Sequence, residues 1–325
     1  MNAIDKITIA LYVAASLCAL PAVAQTYPSK PIRVIVPYPP GGTSDILTRL
    51  IGAKLTQSVG QQVIADNRAG ASGNIGSGLV ARSAPDGYTL LLTDIGNLTI
   101  SSVVFAKLPF NVLEDFTPVT TISYSPHLLA VHPSVPVKTT KDLIALAKSN
   151  PGKLNFATAL GGSPHLAGLS FEQRTGIKWV YVPTKGGSQS SAAVTTGDGD
   201  LLFLGVLQTL PLVKIGKLRA IAVSSEQRLP NLPDTPTVGE TPALKGFLTG
   251  SWQGMLAPAR TPPDVIAKLN GEVTRILKLP DIIQKLDSQG TTPLPNTPQD
   301  TRAWLVSERE RWSKVVRDSG FKLEQ

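Results

Sequence analysis

Between residues 30 and 95, apolar runs of strand length alternate with apolar positions spaced three and four apart. The runs at 32–36, 63–65 and 89–92 read as strands, and the patterns near 45–57 and 74–82 as helices. That alternation predicts a parallel sheet faced by helices. Pro85-Asp86-Gly87 supplies the turn into the third strand. The rhythm then changes. Segments 116–122 and 128–132 are strand-like with no helical pattern between them, as expected of a chain crossing from one lobe to another.

A second alternating series follows. Thr139-x-x-Asp142 has the spacing of a capping box and predicts a helix through Lys148, which Pro151-Gly152 ends. Strand-like runs at 154–157, 179–182, 201–204 and 218–223 enclose helical patterns near 165–175 and 190–196. Residues 225–246, rich in proline and turn formers, read as a return linker, and 247–257 contain strand-like material. Beyond residue 260 the pattern is helical. Val265, Leu269, Val273 and Ile276 form one apolar face, and Leu305, Trp312 and Val316 another. Both faces need a sheet to cover them, and the first lobe is their most economical home. The expected organisation is therefore a first lobe of residues 25–123 and 248–325, discontinuous in sequence, and a second lobe of 124–247.

Ahead of the lobes, residues 7–23 are almost continuously apolar, preceded by Lys6 and closed by Ala22-Val23-Ala24. This is the pattern of a cleaved secretory leader, residues 1–24, which predicts a soluble, exported, periplasmic product. The apolar run is ended too promptly by Pro21 for a membrane span. Cys18 is preceded by Leu17, where lipidation would want a small residue. It is the chain's single cysteine, so cleavage after Ala24 leaves no disulfide, thiol nucleophile or thiolate metal site.

The 325 residues suit two domains, and a 42% hydrophobic, 17% charged composition is that of a globular chain. The net charge of +8 comes from 31 Lys and Arg scattered singly, without interleaved aromatics, which argues against nucleic acid as a partner. A mild positive potential suits an anionic solute, and equally a merely solubilising surface.

Candidate chemistry begins where the first strand ends. Pro37-Tyr38-Pro39-Pro40-Gly41-Gly42-Thr43-Ser44-Asp45 runs into a helix whose free N–H groups and dipole attract a carboxylate or phosphate. A capped turn with no ligand is the alternative. Asp45 either recognises a ligand amine or caps its helix. The lysine of a phosphate-binding loop is missing, and Asn67–Gly76 lacks dinucleotide-binding glycine spacing. In the second series, Leu160-Gly161-Gly162-Ser163-Pro164-His165 and Pro183-Thr184-Lys185-Gly186-Gly187-Ser188 each follow a strand and precede a helix, so amides from both lobes can converge on one solute. Catalytic and metal readings are weak. His127 and His132 point to opposite faces of one strand, His165 reads as a hydrogen-bonding residue at a helix start, and no H-E-x-x-H or G-x-S-x-G is present. No catalytic residue, metal site or cofactor is expected.

Ordered blocks along the chain carry a family likeness. Tyr27-Pro28-Ser29-Lys30-Pro31-Ile32-Arg33, Pro40-Gly41-Gly42-Thr43-Ser44-Asp45, Asn67-Arg68-Ala69-Gly70, Pro85-Asp86-Gly87-Tyr88-Thr89-Leu90, Asp115-Phe116-Thr117-Pro118-Val119, Gly216-Lys217-Leu218-Arg219-Ala220 and Pro236-Thr237-Val238-Gly239-Glu240 resemble the substrate-binding proteins of tripartite tricarboxylate transporters, the Bug family. The resemblance implies an α/β, two-lobed periplasmic binding protein of type II with two hinge crossings. It implies a receptor that hands a small carboxylate to integral membrane permease subunits, while the absence of an extensive apolar stripe suggests a monomer. The alternative partner is a sensor kinase reading the same closed form. By the same likeness the pocket would use Pro40, Gly41, Gly42, Thr43, Ser44 and Asp45; then Thr93, Asp94, Gly96 and Asn97; then Gly161, Gly162 and Ser163; and Thr184, Lys185 and Gly186. Two departures stand out: Thr184 replaces the family's usual Tyr, and Leu204-Gly205 its common Asp-Asn. They imply a larger, less polar pocket for a mono- or dicarboxylate with an apolar or aromatic body.

Overall fold

The computed structural model describes residues 27–105 and 107–319. The leader with its Cys18, and the side chain of Val316, lie outside the described residues. The first βαβαβ unit comprises β1 (Ile32–Val36), α1 (Thr43–Val59), β2 (Val63–Asn67), α2 (Asn74–Ala81) and β3 (Thr89–Asp94), followed by α3 (Ile95–Val104). Strands β1, β2 and β3 are parallel in the order β2-β1-β3. Two antiparallel neighbours extend this sheet, so it is mixed rather than parallel throughout. They are β9 (Gly250–Pro258) beside β3, and β4 (Phe116–Val131) beside β9.

Strand β4 is one element of 16 residues where two strands were expected. Ser123-Tyr124-Ser125-Pro126 makes no turn here: the extended chain continues through it and changes sheets instead. Up to Pro126 it pairs with β9; from His127 onward it pairs with β7 (Leu201–Gly205) and β8 (Arg219–Val223). The second sheet is completed by β5 (Asn155–Thr158), parallel to β7 and to β6 (Val180–Pro183). Its helices are α4 (Thr140–Ser149), α5 (Ser163–Thr175), α6 (Gly187–Thr196) and α7 (Val206–Lys214). At the crossing, the Ser224 hydroxyl accepts from the His127 N–H and lies 3.0 Å from the His127 carbonyl and 2.5 Å from that of Thr249, binding both crossing segments together.

Helices α3 and α7 escape the periodic reading for different reasons. The sequence of α3 is apolar or small on nearly every side, with eight of its ten residues buried, so no amphipathic stripe marks it. Helix α7 follows an unbroken apolar strand and carries Pro211 in its interior, which argues locally against a helix. The Thr139 capping box of α4 is formed from both sides, as its spacing predicts.

Each lobe has its own core. In the first, Val34, Leu90 and Leu92 of the sheet meet Leu47 and Ile51 of α1, and Leu269, Val273 and Ile276 of α8 (Pro263–Leu277). After α9 (Pro280–Asp287) and the short strand β10 (Thr292–Pro293), α10 (Pro298–Ser319) also returns to this lobe, with Leu305 fully buried and Trp304 5.1 Å from Trp252. The second core is aromatic: Phe171 stacks on Trp179 at 5.4 Å and Phe203 on Phe247 at 5.7 Å.

Candidate functional site

Four helices begin at one cavity between the lobes. Their N-caps are Gly42 for α1, Gly162 for α5, Gly186 for α6 and Gly205 for α7, all four line the cavity, and none supplies a side-chain cap. Glycine there leaves first-turn amides for another acceptor, at the positive end of each helix. The same local device serves both lobes. Gly41 (φ +81°) and Gly161 (φ +78°) take the left-handed turn that an L side chain resists, and the next glycine is extended and opens the helix.

The lobes cap each other's helices. Gln208 on α7 accepts the Thr43 N–H of α1 with its Oε1 at 3.0 Å, while Asn97 on α3 accepts the Ser163 N–H of α5 with its Oδ1 at 3.0 Å. A Cβ on Gly162 would lie 2.7 Å from Asn97 Oδ1, so the second contact needs glycine for space.

Asp94 closes the wall between these contacts. Its Oδ2 accepts from Ser251 Oγ (2.8 Å) and, across the cleft, from Ser163 Oγ (3.4 Å); its Oδ1 accepts from the N–H groups of Asn97 (3.1 Å) and Trp252 (3.4 Å). Ser44 donates to Gln253, which donates to Ser251, so the network runs unbroken from α1 to Asp94. Burial pushes the Asp94 carboxyl up to about 6, against the pull of those donors. Tyr38, whose hydroxyl accepts from Asn97 Nδ2 at 2.9 Å, is also driven upward by burial and by Asp94.

Of the residues expected at the pocket, Gly42, Thr43, Ser44, Asp94, Asn97, Gly162, Ser163 and Gly186 line the cavity. Pro40 and Gly41 are exposed on the loop behind it. Asp45 caps its own loop, accepting from the Gly41 N–H at 2.9 Å and pairing with Arg49. Burial raises its pKa, but Arg49 and the Gly41 amide outweigh that and hold it below the usual carboxylate range. Thr93 reaches Tyr38, Gly96 sits behind Asp94, and the Gly161 N–H is bonded to His165 Nδ1. Thr184 meets Ser190, and Lys185 is exposed.

The cavity also holds Gln208, Ser251 and Gln253, which the sequence reading passed over, and Tyr38, His127 and Leu204, which it discussed without placing them among the ligand contacts. Signals for some were present. Ser251 and Gln253 are polar at period two in an otherwise apolar strand, and Gly205 repeats the glycine-before-helix pattern of Gly42 and Gly162. His127 is fully buried at the sheet crossing, and burial pulls its pKa down to about 3. His165 is likewise lowered, to about 4. Among the described residues no cluster of three His, Cys, Asp or Glu suits a metal, and no helix is long and apolar enough to cross a membrane.

The cavity volume is about 70 Å³.

Comparison with known proteins gives one answer. A family model described as the tripartite tricarboxylate transporter family receptor matches residues 47–321. The chain is 36% identical to Protein BugT of Bordetella pertussis over 97% of both chains. Its fold matches the periplasmic binding protein BugD (28% identity, TM-score 0.88, covering 92% of this chain and all of that one). It also matches R. palustris Rpa4515 solved with adipate (34% identity, TM-score 0.88, covering 91% and 99%).

Proposed function

The chain belongs to the tripartite tricarboxylate transporter family of receptors, and from that premise we propose that it captures one small carboxylate between its lobes and delivers it to integral membrane permease subunits. The observation that carries this reading is the meeting of glycine-capped helix starts from both lobes at one cavity. Helix starts hold carboxylate oxygens through amides and dipole, and a closed cleft without bulk water strengthens those charge-assisted bonds. The adipate held by Rpa4515 supports the same class of ligand.

The work is conformational rather than catalytic. A solute touching both lobes binds the closed state more tightly than the open one, and that difference sets how far the hinge equilibrium moves. In this reading residues 25–123 with 248–325 move as one lobe against 124–247. The switch of β4 between sheets at Pro126–His127 supports that division. The receptor acts in the periplasm as a single chain, after loss of its leader.

Thermal unfolding against a panel of carboxylates tests the proposal. At 100 times its dissociation constant a true ligand adds about 2.7 kcal/mol, a clear rise in melting temperature. A protein unmoved by every acid, or one that turns the ligand over, contradicts it. Recovery of the ligand-loaded chain with a permease subunit supports delivery; recovery with a sensor kinase instead rejects it.

A further inference from the structure

Asp94 is the one charged side chain among the described residues that line the cavity. Its two oxygens are held in chemically different ways. Oδ1 accepts from the backbone N–H groups of Asn97 and Trp252, which only donate. Oδ2 is bonded to two hydroxyls instead, Ser251 at 2.8 Å and, across the cleft, Ser163 at 3.4 Å. A hydroxyl turns between donor and acceptor, so a proton on Oδ2 is accommodated without setting one donor against another. Ser251 Oγ already accepts from Gln253 Nε2 at 2.7 Å, which leaves Ser163 Oγ as the acceptor for that proton. The Ser163 hydrogen is then released from Asp94 to the cavity that Ser163 lines.

The surrounding elements bring no free cation to this carboxyl. From the loop after β1, Tyr38 faces it with a hydroxyl that burial and Asp94 itself keep protonated. Arg33 on β1 is committed to Asp66, and Arg49 on α1 to Asp45. Burial holds His127 of β4 and His165 of α5 neutral and drives Tyr124 of β4 upward. Helix α3 and strand β9, which supply the Asn97, Trp252 and Ser251 contacts, carry no titratable side chain. On α10, which packs on α3, Glu308 pairs with Arg311, and the other described charges are exposed.

An entering carboxylate meets this acid in the same cavity. Two like charges about 6 Å apart, at an effective dielectric of about 20, raise each other's proton affinity about a hundredfold. Helix starts answer part of the solute's charge, but Asp94 gains no partner from them. A proton is the compensation that solvent always offers, and Oδ2 has a place for it.

We infer that Asp94 takes up a proton as the cleft closes on a carboxylate, so that the solute is carried as its anion together with one proton. The proton leaves a buffer acid and ends on Oδ2; no other covalent bond changes, and the Ser163 hydroxyl passes from Asp94 to the solute. This assignment rests on the carboxylate reading above and adds the group that answers the ligand's charge.

Calorimetric titration of the mature chain in two buffers of different ionisation enthalpy counts the protons, with straight-chain mono- and dicarboxylates of two to seven carbons, adipate among them, as probes. An acid that binds should bring in at least about half a proton per chain near pH 7, and its affinity should rise about tenfold from pH 8.5 to 6.5, a range in which the acid itself stays ionised. Asp94→Asn keeps an acceptor for the two backbone N–H groups and sets a donor toward Ser163. It should lower the uptake below about 0.1 proton and hold affinity within about twofold over the same range. Binding without proton uptake, or with equal uptake in Asp94→Asn, overturns the linkage and leaves the carboxylate reading standing. Failure of every acid to bind overturns both. If Asp94→Asn does not fold, infrared difference spectra of the unaltered chain with an isotope-labelled acid decide. A protonated-carboxyl band of the protein that grows on binding sustains the assignment, and its absence overturns it.

Discussion

The two sides of the cavity contrast sharply. Around Asp94 both carboxylate oxygens are engaged, by Ser251, Asn97 and Trp252 from the first lobe and by Ser163 from the second. Around Gln208 and His127, each side chain spends one polar atom on the protein, on Thr43 or Thr249, and leaves Nε2 without a partner. A saturated network stabilises the closed arrangement by itself. An unsaturated one costs free energy until something supplies the missing partners.

The contrast has its largest expected effect in the pH dependence of stability. His127 titrates near 3 in the folded chain, against an ordinary 6.5, so the unfolded chain takes up its proton first as pH falls. Its contribution is complete above 6.5 and is lost progressively toward 3, by roughly 4–5 kcal/mol in total. Asp94 runs the other way. Its native value of about 6 exceeds the ordinary 3.8, so the folded chain binds the proton first, and acidification from 6 to about 4 adds roughly 3 kcal/mol. Denaturant titrations at stepped pH should therefore show His127→Asn gaining stability from pH 6 to 4 relative to the parent, and Asp94→Asn losing it. Parallel curves would break the comparison.

Deleting the acceptor of the saturated side comes next. Asp94→Ala leaves the Ser251 and Ser163 hydroxyls and two backbone N–H groups without their carboxylate, which should cost about 3 kcal/mol in urea unfolding at neutral pH. Gln208→Met removes two bonds accepted from Thr43, one of them long at 3.3 Å, and one already unsatisfied donor, so unligated stability should fall by about 1–2 kcal/mol, less than for Asp94→Ala. Equal losses would mean that the two sides are not distinct. The smallest effect belongs to Asp45, which stabilises a loop outside the cavity. Asp45→Asn should cost under about 1 kcal/mol and leave ligand affinity unchanged.

Much of this was legible in the residues. Alternation of strand and helix patterns, the Thr139 capping box and the apolar faces of α8 and α10 give the two lobes and the return of the C-terminal helices to the first. The paired glycines at 41–42 and 161–162 announce the helix starts that line the cavity. Gln208 was hidden because α7 was hidden, by an apolar strand running straight into it and by Pro211. His127 was weighed only against His132 as a metal pair. Its role depends on β4 changing sheets at that residue, which periodicity does not encode. Asp45 has the composition of a ligand contact, but its oxygens are taken up by the Gly41 N–H and Arg49, partners that the residue pattern did not specify.

The most direct test of the central claim is mass spectrometry of the small molecules released when the purified mature chain is denatured. The account predicts one compact carboxylate per chain, which raises the melting temperature when it is added back to emptied protein. A chain that releases no acid and is stabilised by none would contradict it.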